Sequence, residues 1–337
     1  MCNISHYQRW INGLNEDSSV QRMYEFSGIN PPIIALMGVT ATGKTALAIE
    51  LAQHLHCDVI SIDSAMIYRG MDIGSATPTL IEQQGVRHHL VDHIEVDQTY
   101  SVAQCVNDVK ALVQQQQQQG KPSLLVGGTM LYFSALLHGL SQLPPTPEPI
   151  RQRLYQEAER FGPGYLHQQL QHVDSASAAR LHPQDLQRIV RALAVWEVSG
   201  EPLSKHQGKR QAALPPCITF SLLPEDREAH RVLLRKRFAL MIKQGFEQEM
   251  EHLFHHPYLN RDSASMRCVG YRQWWDYLAG DSSREEAIER SINATSQLAK
   301  RQRTWLNQFS DSQRLFSERL QLSDLLSHLS RSSTTLD

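Results

Sequence analysis

Ile33-Ile34-Ala35-Leu36-Met37-Gly38-Val39-Thr40-Ala41-Thr42-Gly43-Lys44-Thr45, continuing through Ala46-Leu47-Ala48-Ile49-Glu50-Leu51-Ala52, decides how this chain folds. Residues 33–37 are apolar, follow Pro31-Pro32 and stop at a glycine, so they read as a short buried strand. Residues 45–52 are rich in helix formers, with apolar side chains at helical spacing. Between them, Gly38, Gly43, Lys44 and Thr45 fill every fixed position of GxxxxGK[ST]. Glycines let the main chain wrap an anion so that successive N–H groups point inward. The helix opening at Lys44 adds partial positive charge at its start. Lys44 supplies a full charge, and the Thr45 hydroxyl is a ligand for Mg²⁺. The loop Gly38, Val39, Thr40, Ala41, Thr42, Gly43, Lys44 and Thr45 therefore reads as a phosphate cradle.

Working outward, Val59-Ile60-Ser61-Ile62 reads as a second strand ending at Asp63. Ser101 is an N-cap candidate for a helix running to Gln119, and its glutamine run Gln114 to Gln119 is expected to be an exposed tail. Gly120-Lys121-Pro122 stops that helix. Leu124-Leu125-Val126 is a third strand, followed by Gly127-Gly128-Thr129 and a helix from Leu131 to Leu137. Strand and helix alternate as in a parallel sheet. The expected fold class is α/β: a P-loop NTPase-like parallel sheet core flanked by helices, with a helical insertion domain. The prolines of 143–149 and Pro215-Pro216 bracket that insertion. Cys217 to Leu222 reads as a returning strand, and 226–256 as one long amphipathic helix with Leu233, Phe238, Met241, Ile242, Phe246, Met250 and Leu253 on one side. A further helix is expected from Ser283 to Trp305. The domain reading is an N-terminal extension (1–30), a core (31–142 and 216–310), the insertion (143–215) and a polar tail (311–337).

Apolar residues at 41% and charged residues at 20% are ordinary for a soluble globular protein, which excludes a disordered or fibrous chain. No apolar run near the start approaches the roughly 20 residues a membrane span needs, and no basic-then-apolar leader precedes the strand at residue 33. The 5 cysteines are odd in number and scattered, which argues for a reducing cytoplasm rather than a disulfide framework. A net charge of −2 conceals an asymmetry: residues 1–100 hold 5 basic and 11 acidic groups, residues 201–337 hold 20 and 17. That excess by itself fits a solvated helix face as readily as a polyanion.

Three further features carry chemistry. Asp63, at a strand end, reads as a metal-holding carboxylate, as a general base beside the phosphates, or as a helix cap. Thr129 places a hydroxyl where open α/β sheets bind ligands, or else caps the next helix. Arginines and lysines interleave with aromatics in Arg267 to Trp275 and in Lys300 to Trp305, and Arg188 and Arg191 lie one helical turn apart. Basic groups take phosphates and aromatic faces stack on unpaired bases. The histidine groups at 88–93 and 252–256 lack HExxH, so no zinc site is expected.

These residues together resemble the tRNA dimethylallyltransferases, also called tRNA isopentenyltransferases (the IPP transferase family). The resemblance lies in Gly38 to Thr45, Asp63-Ser64-Ala65-Met66-Ile67-Tyr68 with Met71-Asp72-Ile73-Gly74, His88-His89-Leu90-Val91-Asp92, and Val126 to Tyr132. It continues through Arg180-Leu181-His182-Pro183 to Arg191, then Arg267 to Gln273, then Gln297 to Trp305. These seven ordered blocks span roughly residues 32–310. Val39 stands where the family commonly has Pro and Thr42 where it has Ser; neither change removes a phosphate-binding atom.

The resemblance implies transfer of a dimethylallyl group from dimethylallyl diphosphate to N6 of the adenine 3′ of the anticodon, in tRNAs reading codons that begin with U. It implies Asp63 as the base near N6, Thr129 beside the reacting centre, and Lys44 with the 38–45 loop on the diphosphate, with Mg²⁺ near Thr45. It implies tRNA contacts at Asp63, Ser64, Ala65 and Met66, and at Gln187, Arg188, Ile189, Val190 and Arg191. Others are implied at Cys268, Val269, Gly270, Tyr271, Arg272 and Gln273, and at Lys300, Arg301, Gln302, Arg303, Thr304, Trp305, Leu306 and Asn307. The partners implied are the tRNA anticodon stem-loop and dimethylallyl diphosphate, with no membrane; a cytoplasmic monomer is expected. Two rivals fit the bare motifs. One is a P-loop kinase with Arg231, Arg235 and Arg237 as its lid; the other is a non-catalytic RNA-binding protein.

Overall fold

The computed structural model describes residues 31–141, 143–206 and 211–331. The extension expected over 1–30, and the last six residues of the expected tail, lie outside them. The described chain divides into two compact units, 31–137 with 214–331, and 138–213.

The larger unit is built on six strands: β1 (Ile33–Gly38), β2 (Val59–Ile62), β3 (His88–His89), β4 (Ser123–Gly127), β5 (Ile218–Leu223) and β6 (Gln313–Phe316). They lie in the order β3-β2-β4-β1-β5-β6. Every pairing among them is parallel. Side chains alternate across a strand, so β1 divides its own residues. Ile33, Ala35 and Met37 join Ile60, Ile62 and Leu125 on one face; Ile34 and Leu36 join Val59, Leu124 and Val126 on the other. The sheet is covered on both faces, which is why β1 and β4 read as unbroken apolar runs rather than alternating ones. Helices α1 (Lys44–Leu55), α2 (Val102–Gln118) and α3 (Met130–His138) follow strands or connect them. Ser101 caps α2 in a reciprocal capping box with Gln104. In the glutamine run, Gln116 is buried rather than exposed, because it falls on the face of Val109 and Val113.

The smaller unit holds α4 (Glu148–Phe161), α5 (Pro163–Val173), α6 (Ser175–Ala178) and α7 (Leu186–Ser199). Leu154, Leu166, Leu170, Ile189 and Leu193 form its own core. The buried Asp174 carboxylate ties it together, accepting from Ser177 N at 3.0 Å and Ser204 N at 2.9 Å. The larger unit resumes just ahead of Pro215-Pro216, where Leu214 N donates to Leu136 O at 3.1 Å.

Residues 226–256 are two helices, not one. Gly245, with φ +105°, ends α8 (Arg227–Gln244) and opens α9 (Phe246–Phe254). Leu233, expected on the apolar side, is exposed; the buried face of α8 is His230, Leu234, Phe238 and Met241. Helices α10 (Tyr271–Leu278) and α11 (Arg284–Leu306) complete this layer.

The expected polar tail is a second correction. Residues 313–316 add β6 to the sheet edge, and α12 (Leu322–Arg331) buries Leu325 and Leu329 beside Ile34, Leu36 and Leu55. An edge strand with one buried side chain carries almost no hydrophobic pattern, so the sequence there looks polar. Leu325 is fully buried. Leu325→Ala is therefore expected to cost about 2–5 kcal/mol in urea denaturation; a solvated tail would show no change.

Candidate active site

The strand order brings the chemistry together. Parallel strands all end on the same edge of the sheet, and β2, β4 and β1 are neighbours. Asp63 follows β2, Gly128-Thr129 follow β4, and the phosphate loop follows β1. Thr129 thus stands between the carboxylate and the loop. The crevice beyond the carboxyl ends of such a sheet is where these folds bind ligands.

The loop is shaped from within and braced from outside. Gly43 caps α1 at φ +76°, a conformation that other residues adopt only at a cost. Thr42 Oγ1 donates to Val39 O at 2.7 Å, and Lys44 Nζ donates to the same carbonyl at 2.6 Å. Val39 N donates to Leu222 O at 3.1 Å, fastening the loop to β5. Gln302 on α11 accepts from Thr40 N through Oε1 at 2.9 Å and donates through Nε2 to Gly128 O at 2.9 Å. One side-chain amide thereby ties the turn after β1 to the turn after β4. His230 Nε2 donates to Thr40 O at 3.0 Å, and burial lowers the pKa of this imidazole.

Asp63 is fixed by its own turn. Its Oδ1 accepts from Ala65 N at 2.8 Å and Met66 N at 3.4 Å. Thr129 Oγ1 accepts from Ser64 N at 3.0 Å and donates to Ser64 Oγ at 3.2 Å. The hydroxyl at the end of β4 therefore sets the segment that presents the carboxylate.

Loop residues 40–45, Asp63 to Met66, Gly128, Thr129 and Gln302 line one cavity of about 760 Å³, with Val39, Leu222 and His230 bracing the loop from behind. Among the described residues, its wall carries four basic side chains, Lys44, Arg237, Arg267 and Arg301, against a single carboxylate, Asp63. Apolar and aromatic side chains, including Tyr68, Tyr132, Phe238, Met241 and Cys268, make up another part of the lining. Burial pushes the Lys44 ammonium down to about 8; the Asp63 carboxylate works against that shift and the Arg237 guanidinium adds to it. Burial also lowers Arg237, opposed by Asp63. The Cys268 thiol is pushed up to about 12, chiefly by burial and then by Asp63, so it stays protonated at neutral pH. The cavity thus combines cationic side chains, apolar walls and one carboxylate.

The residues singled out in the sequence divide by exposure. The loop residues 40–45, Asp63, Ser64, Ala65, Met66, Thr129, Cys268, Val269, Gly270, Arg301, Gln302 and Trp305 line the cavity. Lys300, Thr304 and Asn307 face solvent on the same helix or its cap, while Leu306 is buried. Tyr271 and Gln302 are buried and spend their polar atoms in bonds within the protein. Gln273 accepts from Gly270 N at 2.9 Å. In the smaller unit Gln187 and Arg188 are exposed, whereas Ile189 and Val190 are core residues. Arg191 is engaged internally, donating to Thr146 and, at 3.2 Å, to Pro144 O. Arg237 is singled out in the sequence only as a lid arginine of the kinase reading, and His230 has no local motif to mark it. α8, packed against α11, brings His230 to the Thr40 carbonyl and Arg237 into the cavity wall.

A profile of the IPP transferase family matches residues 66–309, well over half of the chain. Among solved structures, the full-length tRNA isopentenylpyrophosphate transferase of Bacillus halodurans is 29% identical, with a TM-score of 0.65, over 89% of this chain and 95% of its own. The tRNA delta(2)-isopentenylpyrophosphate transferase of Staphylococcus epidermidis is 28% identical, with a TM-score of 0.64, over 90% of this chain and 98% of its own. A eukaryotic dimethylallyltransferase acting on tRNA, 22% identical, shares the fold at a TM-score of 0.72 over 90% of this chain and 77% of that one. The matched segment takes in Thr129, Arg237 and the stretches 268–273 and 300–307, and this chain belongs to the IPP transferase family.

Proposed function

We propose that this protein transfers a dimethylallyl group from dimethylallyl diphosphate to N6 of the adenine 3′-adjacent to the anticodon, in tRNAs reading codons that begin with U. The products are N6-(dimethylallyl)adenosine and diphosphate. One observation carries the reading: a cationic phosphate loop, a threonine hydroxyl and a lone carboxylate open from three neighbouring strand ends into one cavity with apolar walls. The names of the two bacterial relatives point the same way.

In this reading the diphosphate lies in the 38–45 loop, with Lys44 and Arg237 facing it. As the C1–O bond breaks, negative charge grows on the leaving diphosphate, where backbone N–H groups and both cations stabilise it. The apolar wall takes the dimethylallyl group. Adenine N6 is a weak nucleophile because its lone pair is delocalised into the ring. Asp63 accepts the N6 proton as the C–N bond forms, and Thr129 holds the Ser64 end of that turn in place. Extruding the adenine costs about a few kcal/mol, reduced because an anticodon loop presents bases already unpaired. A diphosphate donor also explains why β4 ends in Gly127-Gly128-Thr129 with no acid: no attacking water has to be oriented.

The side chains present suit Mg²⁺, which favours oxygen ligands from one or two protein groups and from phosphates. Thr45 lines the cavity beside the loop and offers its hydroxyl to the ion, and no described cluster of three or more His, Cys, Asp or Glu offers an all-protein cage. Bound there, the ion would neutralise diphosphate charge. The tRNA contacts are assigned to the exposed Arg267, Lys300, Arg301, Thr304 and Asn307 and the half-buried Arg272 and Arg303, with Gln187 and Arg188 exposed on the smaller unit. A monomeric protein is part of this proposal. The described cysteines are all unpaired, which fits a cytoplasmic protein, and no described helix is long and apolar enough to cross a membrane.

Mass spectrometry of nucleosides from tRNA incubated with the protein and dimethylallyl diphosphate is expected to show N6-(dimethylallyl)adenosine. With Asp63→Ala, turnover is expected to fall at least about 10²-fold, the usual scale of a lost general base, while tRNA binding persists. Full-rate prenylation by this variant would remove the base assignment.

Lys44 gives a pH test. Its free-protein pKa lies at about 8, and a bound anion favours the ammonium form. Diphosphate affinity should therefore be at its full value below that pH and decline as pH rises through it, by up to about tenfold per unit. Calorimetric titration of inorganic diphosphate between pH 7 and pH 10 measures the decline. Lys44→Met, run in parallel, reports the titration of diphosphate itself; identical profiles would exclude the assignment.

A further inference from the structure

The loop that follows Asp63 is gripped from far away in the sequence. The backbone N–H groups of Asp72, Ile73 and Gly74 all donate to the Glu249 carboxylate on α9, at 2.9, 2.7 and 3.1 Å. Tyr271 Oη donates to Glu249 Oε1 at 2.7 Å and accepts from Ser75 N at 3.1 Å. Three successive N–H groups converging on one anion form a nest of the kind that holds phosphates. Here the protein fills the nest with its own side chain. The carboxylate is met by four neutral donors, two on each oxygen. Gly74 is what allows the close fit: a Cβ there would lie 2.6 Å from Tyr271 Cζ and 2.4 Å from Phe246 Cε2. The Tyr271 ring in turn meets Phe246 edge-on, at 5.3 Å between centroids and 89° between planes.

This cluster joins two parts of the cavity wall. Gly74 and Ser75 line one part, downstream of Asp63; Cys268, Val269 and Gly270, immediately ahead of Tyr271, line the other. The phosphate loop is braced by a different set of groups, namely Leu222 O, Gln302 and His230. Two separate hydrogen-bond networks therefore stand behind the two ends of one site.

We infer that Glu249 and Tyr271 are positioning residues for the acceptor: their bonds to residues 72–75 hold the wall that receives the adenine in register with the 268–270 wall, without touching either substrate. The inference deepens the proposed function and rests on it. It also reassigns Tyr271 from tRNA contact to internal support.

The test is steady-state prenylation of an anticodon stem-loop RNA, beside calorimetric binding of inorganic diphosphate, for the full chain. Glu249→Gln is isosteric but leaves one oxygen where two each accept a pair of bonds, and turns an –NH₂ group toward a backbone N–H. Tyr271→Phe keeps the ring packing and loses both hydroxyl bonds. Each is expected to lower kcat/KM for the RNA about tenfold or more, an effect equivalent to one good hydrogen bond. The diphosphate Kd should stay within about twofold. Because both residues act through one cluster, the double variant should be little worse than the poorer single variant. A folded Glu249→Gln protein with wild-type kcat/KM for RNA would overturn the inference, as would a parallel loss of diphosphate affinity. If Glu249→Gln fails to fold, Tyr271→Phe decides by the same readouts. Failure of the wild-type protein to prenylate the RNA would instead sink the functional reading, and this inference with it.

Discussion

The site depends on electrostatic tension between Lys44, Arg237 and Asp63 across the carboxyl edge of the sheet. Two partly desolvated cations face one carboxylate there, with Arg267 and Arg301 on the same wall. Taking a charge out of water costs several kcal/mol unless a partner compensates. The free protein compensates only in part: Lys44 turns its ammonium onto the Val39 carbonyl, and its proton affinity falls. A polyanion completes the balance. In the proposed function, a bound diphosphate is the polyanion that relieves this imbalance.

Strand order makes the arrangement possible. β4 lies between β2 and β1, so the turn bearing Thr129 separates Asp63 from the loop by one strand on each side. A carboxylate adjacent to the loop would pair directly with Lys44 and cancel the charge that the ligand needs. With a strand between them, Asp63 moderates Lys44 while leaving Oδ2 without a hydrogen bond to any described residue. Gln302 fixes one half of that spacing by bonding the turns after β1 and β4, and Thr129 fixes the other by bonding Ser64 in the turn after β2. Rigid support of this kind is what a site stabilising developing charge requires, since its dipoles must be in place before the bond breaks.

Much of this was legible in the residues. The phosphate loop, the strands at 33–38, 59–62 and 123–127, and the positions of Asp63 and Thr129 follow from local pattern, because strand, turn and helix signals there agree. What escaped has physical causes. The Gly245 break is hidden because apolar spacing continues through it, and only the left-handed backbone at that glycine separates α8 from α9. The final strand and helix look polar because an edge element buries few side chains. His230 and Glu249 act over sequence separations that no local motif records, and Tyr271 and Gln302, which the resemblance gave as tRNA contacts, use their polar atoms in bonds within the protein.

The account turns on a diphosphate, not a nucleoside triphosphate, being the ligand of the 38–45 loop. The most direct measurement is calorimetric binding of an unreactive thiolodiphosphate analogue of the prenyl donor to the wild-type chain with Mg²⁺, with and without excess ATP. Saturable one-site binding is expected, which ATP leaves essentially unchanged and Lys44→Ala weakens at least about tenfold, the scale of a lost charge-assisted contact. Displacement of the analogue by ATP, or equal binding by Lys44→Ala, would contradict it.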